Sequence, residues 1–308
     1  MRLWFMGSGR FAARCFLELS ASLHFEVVVV PPPKPAGRGL KESLSSLEEV
    51  AKVGYGPLIR TRDVNREPTL LDTPRKEWPD VIIVVDFGQK IKEPILSAPT
   101  FGCINIHPSL LPAYRGAAPI QRALMDGKEE TGVTVFRLVD AMDAGPILAQ
   151  RRYPISPDAT AGQLCEALAR EGSHLLLEVL EGLSKGSIRE EPQDESEATY
   201  APKITKDEAL IRWDESSKRV HDLVRALNPA PGAFTFAHGK ILKIWRASIA
   251  DGICGKPGEI VEIEGGRPVV ACGKGGVVLL EVQQEGKEPR DAAAWWRGAR
   301  LKKGDALG

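Results

Sequence analysis

Short apolar runs alternate along the first two thirds of the chain with segments whose apolar positions recur every third or fourth residue. RLWFM (residues 2–6), FEVVVV (25–30), WPDVIIVVDFG (78–88) and FGCINIHP (101–108) are near-continuous apolar runs. Such runs predict strands covered on both faces, as in a parallel sheet. Between them FAARCFLELSAS (11–22), KESLSSLEEVAKVG (41–54) and GAAPIQRALMDG (116–127) carry helical spacing, the last with Pro119 in its first turn. TGVTVFRLV (131–139) and ILAQRRYPI (147–155) read as strands of mixed polarity, and residues 160–186 as one long amphipathic helix. PPPKPAGRG (31–39) is excluded from a helix or a central strand and is expected as a loop.

The pattern changes near residue 190. REEPQDESEATYAP is charged and poor in large apolar residues. One helical segment, SSKRVHDLVRALN (216–228), then precedes five short β-like runs broken by glycines: GAFTFAHG, KILKIWRAS, GEIVEIEGG, RPVVACGK and GGVVLLEVQQ. Alternating strands and helices predict an α/β fold with a Rossmann-like, open, mostly parallel sheet. The glycine-punctuated runs predict a small antiparallel barrel, OB-like in character. The expected division is a first domain over 1–189, a linker over 190–207 and a second domain over 208–308.

Composition narrows the class. The 308 residues are 43% hydrophobic and 27% charged, enough for two cored domains, and no apolar run is long enough for a membrane span. The start, MRLWFMGSGRF, lacks the features of a signal peptide, so a cytoplasmic protein is expected. Five dispersed cysteines without a C-x-x-C pair argue against disulfides and structural zinc, and five separated histidines against a catalytic metal. Net charge is zero, but residues 201–308 hold 18 basic against 14 acidic side chains, a weak lean toward a polyanionic partner.

Three stretches carry candidate chemistry. Gly7-Ser8-Gly9-Arg10-Phe11-Ala12 has the glycine spacing of a dinucleotide turn, but the second strand ends in prolines and lacks the acid that would hold a ribose. Tight packing, or approach to another ligand, is the competing role for that turn. In CINIHP, Asn105 and His107 stand two apart and face one way, at the carboxyl end of a strand that Pro108 stops. An amide beside an imidazole can stabilise an oxyanion and move a proton; a capping Asn and a partly buried His is the competing reading. Downstream, Asp140 and Asp143 both lie where a carboxylate could orient the imidazole, and the residues alone leave the choice open.

Taken together, FGCINIHPSLLPAYRGAAPIQRAL and the later MDAGPIL resemble the 10-formyltetrahydrofolate-dependent formyltransferases, over nearly the whole chain. The resemblance implies Asn105, His107 and Asp143 as the catalytic trio, with Ser109–Pro112 and Arg115–Gly116 matching adjoining family elements. It implies 10-formyltetrahydrofolate as co-substrate, lined by Asp86, Phe87, Gly88, Gln89, Ile91, Ser109, Leu110, Leu111, Pro112, Val139 and Asp140, and no metal. The loop PKPAGRGLK and the C-terminal half imply an initiator methionyl-tRNA acceptor, with Lys34, Arg38 and Lys41 contacting the tRNA. The expected reaction is formyl transfer to the methionyl α-amino group, by a monomer. An amino-sugar nucleotide acceptor or hydrolysis of the formyl donor would use the same trio, a folate- or tRNA-binding module would not need it, and an oxidoreductase would rest on the glycine turn. Three departures from the family pattern mark this chain: Asp86 and Lys90 in a loop otherwise apolar, Pro33 where an acid is common, and a Gly-Ser-Gly first turn.

Overall fold

The computed structural model describes residues 1–36, 41–51 and 56–308, with the backbone alone for 34–36 and 41–42. In chain order it runs β1 (Leu3–Gly7), α1 (Arg10–Ser20), β2 (Val27–Val30), β3 (Lys34–Ala36), β4 (Lys41–Ser43), α2 (Ser46–Ala51), β5 (Leu58–Arg60), α3 (Pro68–Leu71), β6 (Val81–Val85), β7 (Cys103–His107), α4 (Pro119–Met125), β8 (Glu130–Arg137), β9 (Ile147–Pro154) and α5 (Ala161–Ser184). It continues with α6 (Ser217–Ala226), β10 (Ala233–Ala237), β11 (Lys240–Ala250), β12 (Ile260–Glu264), β13 (Arg267–Ala271), β14 (Gly276–Gln284), β15 (Arg290–Asp291) and α7 (Ala292–Trp296).

One sheet has the order β5-β2-β1-β6-β7-β8-β9, parallel from β5 to β7 and antiparallel through β8 and β9. The chain steps outward from β1 in one direction through β2 and β5, and in the other through β6 and β7. In sheets with such a reversal, ligands are taken at the carboxyl ends of the strands. Every residue of β1 is buried, so its two faces feed two cores. Phe5 packs edge-on against Phe16 of α1 and against Phe25, with ring centroids 5.2 and 5.3 Å away. Trp4 and Met6 face the opposite core, where Trp4 stacks on Trp78 at 5.5 Å. This is the period-two consequence of a strand covered on both sides.

The second sheet, β10-β11-β14-β13-β12 with β15 against β14, is antiparallel throughout. Its core gathers Leu242, Ile244, Val270, Val277 and Leu279 from the strands, Val220, Val224 and Leu227 from α6 and the turn after it, and Trp213, whose Nε1–H donates to the buried Thr235 hydroxyl at 3.0 Å. All five β-like runs expected after residue 230 are strands. The helix expected over 41–54 is shorter: residues 41–43 pair with 34–36 as a hairpin, and α2 begins after Ser45, whose hydroxyl accepts the Glu48 N–H.

Two compact units emerge: 1–119, 130–154 and 165–201 in the first, and 120–129, 155–164 and 202–308 in the second. Among the described residues no helix is long and apolar enough to cross a membrane.

Candidate active site

The site is built at the end of β7. Asn105 pairs with Val84 of β6 and Phe136 of β8, and His107 with Thr134 of β8. Both side chains therefore leave the same face at the strand's carboxyl end. The His107 ring is buried and meets Phe136 edge-on at 6.4 Å. Asn105 is half-buried, and among the described residues nothing hydrogen-bonds its side-chain amide. The strand β8 does adjoin β7, so the turn that links it to β9 carries Asp143 to the imidazole.

The imidazole is held from two sides. Its Nε2 lies 2.9 Å from the Tyr114 carbonyl, which can only accept, so Nε2 carries the proton there. Nδ1 then faces the Asp143 carboxylate, 3.9 Å from Oδ2. That gap is wider than a hydrogen bond and leaves Nδ1 within reach of a third group. The same Oδ2 accepts the Gly116 N–H at 2.8 Å. Asp143 sits in the left-handed region at φ 51, an unusual backbone state for a residue with a Cβ. Gly116, at φ 121, must be glycine twice over, because a Cβ there would come within 2.9 Å of the Ala201 carbonyl.

Asp140 is drawn elsewhere. It pairs with Lys90 at 2.7 Å, and the lysine holds its carboxyl below the ordinary aspartate range. The residues alone left Asp140 and Asp143 as equals; the fold brings Asp143 to His107 and turns Asp140 to Lys90. The Lys90–Asp140 pair links the loop after β6 to the loop after β8, two of the segments expected to line the folate.

Within those segments the side chains differ in availability. Phe87 and Ile91 are buried in the core beneath the sheet, and Gln89 is spent on the Val64 N–H and the Thr61 carbonyl. Gly88 takes φ 72. Ser109 and Leu111 are also buried: the Ser109 hydroxyl donates to the Ala113 carbonyl at 2.6 Å, and the Leu111 N–H donates to Thr134 Oγ1 at 3.0 Å. Leu110 and Pro112 are half-exposed, whereas Val139 and the neighbouring Met142 are exposed. Arg38 lies outside the described residues, and Lys34 and Lys41 are described as backbone in the β3–β4 hairpin, with Lys34 opposite Ser43 and Lys41 opposite Ala36.

The glycine turn is accounted for by packing. A Cβ on Gly7 would meet the Val85 carbonyl at 2.7 Å, and one on Gly9 would lie 1.7 Å from Asp86 Oδ2. Asp86 as a residue is open to solvent, yet its carboxyl is turned onto Gly9. Crowding there removes water from the carboxylate and pushes its pKa up to about 6. In this arrangement the Asp86 carboxyl occupies the space that a Cβ at position 9 would take.

Sequence reasoning did not find the groups that hold the trio. Tyr114 acts through its carbonyl and Gly116 through its N–H, so neither advertises a role by residue type. Gln193 donates to the Asp143 and Gly145 carbonyls at 2.8 and 2.7 Å from fifty positions away, with no local signal.

An amide with no hydrogen-bond partner among the described residues, an imidazole and a carboxylate, gathered at the carboxyl end of such a strand, can together stabilise an oxyanion and move a proton. The chain belongs to the formyl transferase family: residues 1–180 match the Formyl transferase model and residues 203–300 the Formyl transferase, C-terminal domain model. Among its relatives, the methionyl-tRNA formyltransferase of Roseiflexus sp. is 38% identical over 312 residues, covering 100% of this chain and 95% of that protein. The methionyl-tRNA formyltransferase of Methylobacterium nodulans is 40% identical over 313 residues, covering 100% and 99%. In fold the chain is similar to HypX from Aquifex aeolicus, solved in complex with tetrahydrofolic acid, with a TM-score of 0.67 and 20% identity. That similarity covers 100% of this chain and 50% of the HypX chain.

Proposed function

We propose that this protein transfers the formyl group of 10-formyltetrahydrofolate to the α-amino group of methionyl initiator tRNA, the step that prepares the tRNA for translation initiation. The observation that carries the chemistry is the cluster of Asn105, His107 and Asp143: an amide with no partner among the described residues, a ring whose Nε2 is fixed by Tyr114, and a carboxylate 3.9 Å from Nδ1. Full-length likeness to proteins named methionyl-tRNA formyltransferase supports the acceptor.

The folate supplies a formyl carbon whose oxygen gains negative charge when the neutral amine attacks. The half-buried Asn105 amide, which has no competing partner among the described residues, donates to that oxygen. His107, protonated, donates to it through Nδ1, since Nε2 is already committed. Asp143 faces Nδ1 and orients the ring, and takes the proton that the amine sheds, directly or through one water. As the carbon–nitrogen bond to the donor breaks, a proton is returned to the departing nitrogen, so the new amide forms with no net change in protons. Each oxyanion donor contributes about 10²–10³ in rate. The chemistry calls for no metal, because a protonated nitrogen is an adequate leaving group.

The unpaired Asn105 amide fits a formyl oxygen, and the exposed Val139 and half-exposed Leu110 and Pro112 offer apolar surface to a flat ring. Asp86, Phe87, Gly88, Gln89, Ile91, Ser109, Leu111 and Asp140 form the rest of the folate-lining set. Phe87, Ile91, Ser109 and Leu111 contribute by shaping the backbone rather than by side-chain contact. Lys34, Arg38 and Lys41 contact the tRNA phosphates. The division of labour runs from a catalytic domain over 1–189, through a linker over 190–207, to a tRNA-contacting domain over 208–308, in a cytoplasmic monomer.

The test offers purified protein the formyl donor with three acceptors: methionyl initiator tRNA, an amino-sugar nucleotide, and water alone. Formyl-methionyl-tRNA as the main product supports the reading. Formylated sugar, or formate released without an acceptor, overturns it.

A further inference from the structure

The segment 191–201 has the composition of a connector, yet its Thr199 and Ala201 are tied by backbone hydrogen bonds to the turn 112–118. Thr199 N–H donates to the Pro112 carbonyl, Arg115 N–H to the Thr199 carbonyl, Ala201 N–H to the Arg115 carbonyl and Ala118 N–H to the Ala201 carbonyl, at 2.7–3.2 Å. Thr199 Oγ1 also accepts the Tyr114 N–H at 2.8 Å. Arg115 stands at the centre. Its neighbour Tyr114 supplies the carbonyl that holds His107, and its other neighbour Gly116 supplies the N–H that holds Asp143.

The Arg115 side chain is 2% exposed and fully occupied. Two of its nitrogens donate to Gln193 Oε1 at 3.1 and 2.7 Å, and two meet the Glu195 carboxylate at 2.8 Å each. With its oxygen fixed by the guanidinium, Gln193 must turn its NH₂ the other way. Both of those protons are used, on the Asp143 carbonyl and the Gly145 carbonyl. These carbonyls flank the left-handed turn that carries the proposed proton acceptor. A residue with a Cβ at φ 51 persists only when its surroundings hold it there.

From this circuit we infer that Gln193, aligned by Arg115, is a positioning residue for formyl transfer: it locks the backbone of Asp143 so that the carboxylate faces His107 Nδ1. The segment 191–201 is then part of the active-site frame. This role for Gln193 rests on the formyl-transfer reading of the site. The Gln193 amide is spent on Arg115 and on the two carbonyls, so its removal should slow the chemical step and leave binding of both substrates intact. A misplacement of about 1 Å at a reacting group costs about 10²-fold in rate.

The test uses the full-length protein, with Gln193→Ala and Gln193→Glu, each alone and in an Asp143→Asn background. Gln193→Glu keeps the shape and the acceptor for Arg115 but presents no donor to the two carbonyls. We expect kcat to fall about 10²-fold in both single variants, with KM for folate and tRNA essentially unchanged in protein whose circular-dichroism spectrum remains that of the folded wild type. In the Asp143→Asn background the same changes should cost no further turnover, because residues that act through one another are not additive. Wild-type turnover in Gln193→Glu, a loss confined to KM, or the same fold-loss in both backgrounds overturns the inference. A wild-type protein that fails to formylate the tRNA, or an Asp143→Asn variant of normal activity, overturns instead the reading on which it stands.

Discussion

Replacing Asp143 by Asn is the sharpest perturbation of the proposed mechanism, because it removes charge and little else. The Oδ2 atom that faces His107 Nδ1 at 3.9 Å also accepts the Gly116 N–H. An Asn placed with Oδ1 in that position keeps the Gly116 bond, and Gln193 still holds the backbone. The fold therefore survives. What is lost is the attraction between a carboxylate and an imidazolium whose side chains are only 14% and 7% exposed. A group that accepts a proton in the transition state contributes about 10²–10⁴ in rate, about three decades at the centre of that range. A single-turnover assay, mixing enzyme in excess with methionyl-tRNA and formyl donor and quenching on the millisecond scale, isolates this step from product release. The expected result is a roughly 10³-fold slower formylation in a protein whose melting curve is nearly unchanged. A folded variant within about 1 kcal/mol of wild type, roughly fivefold in rate, would refute the role given to Asp143.

Three further outcomes follow from local geometry. Gly9→Ala should destabilise the protein by about 1–3 kcal/mol in chemical denaturation, because the new Cβ meets Asp86 Oδ2 at 1.7 Å; adding Asp86→Ala should restore most of the loss, and no recovery would show that the clash lies elsewhere. Gly116→Ala should lower stability and turnover together, with about 1–2 kcal/mol from the backbone conformation alone and a further contribution from the contact with the Ala201 carbonyl; a variant with unchanged melting and rate contradicts it. Hydrogen bonding from Arg122, then from the Thr205 backbone, holds the Glu208 carboxyl down from its ordinary 4.5 to about 2. Its contribution to stability is therefore complete above about pH 4.5 and fades as pH falls toward 2. Glu208→Gln should flatten that part of the acid-unfolding curve, and an identical curve would show the pair to be without weight.

The apolar runs of β1, β2, β6 and β7 fixed their own identity as buried strands, since only a strand covered on both faces is apolar at every position. The glycine-punctuated runs after residue 230 point to a small antiparallel barrel, and their strands pair as an antiparallel sheet in the order β10-β11-β14-β13-β12. Short edge pieces such as β5, and the β3–β4 hairpin, escaped because three residues carry too little periodicity to read. Asn105 and His107 were legible as a same-face pair at a strand end, for side-chain alternation is a local property of the backbone. Locality also sets the limit.

Whether a carboxylate reaches His107 depended on β8 lying beside β7, a long-range pairing that no spacing encodes. The choice between Asp140 and Asp143 rested on Lys90, fifty residues earlier, which draws Asp140 away. The parts of Tyr114 and Gly116 are played by backbone groups that every residue possesses, and that of Gln193 by a contact across fifty positions. By itself, the sequence determined the strands, the two-part architecture and the candidate chemistry, because hydrophobic burial and side-chain type are written residue by residue. Tertiary structure alone decided which atoms of those residues meet, because hydrogen bonds a few ångströms long are closed by the packing of segments far apart in the chain.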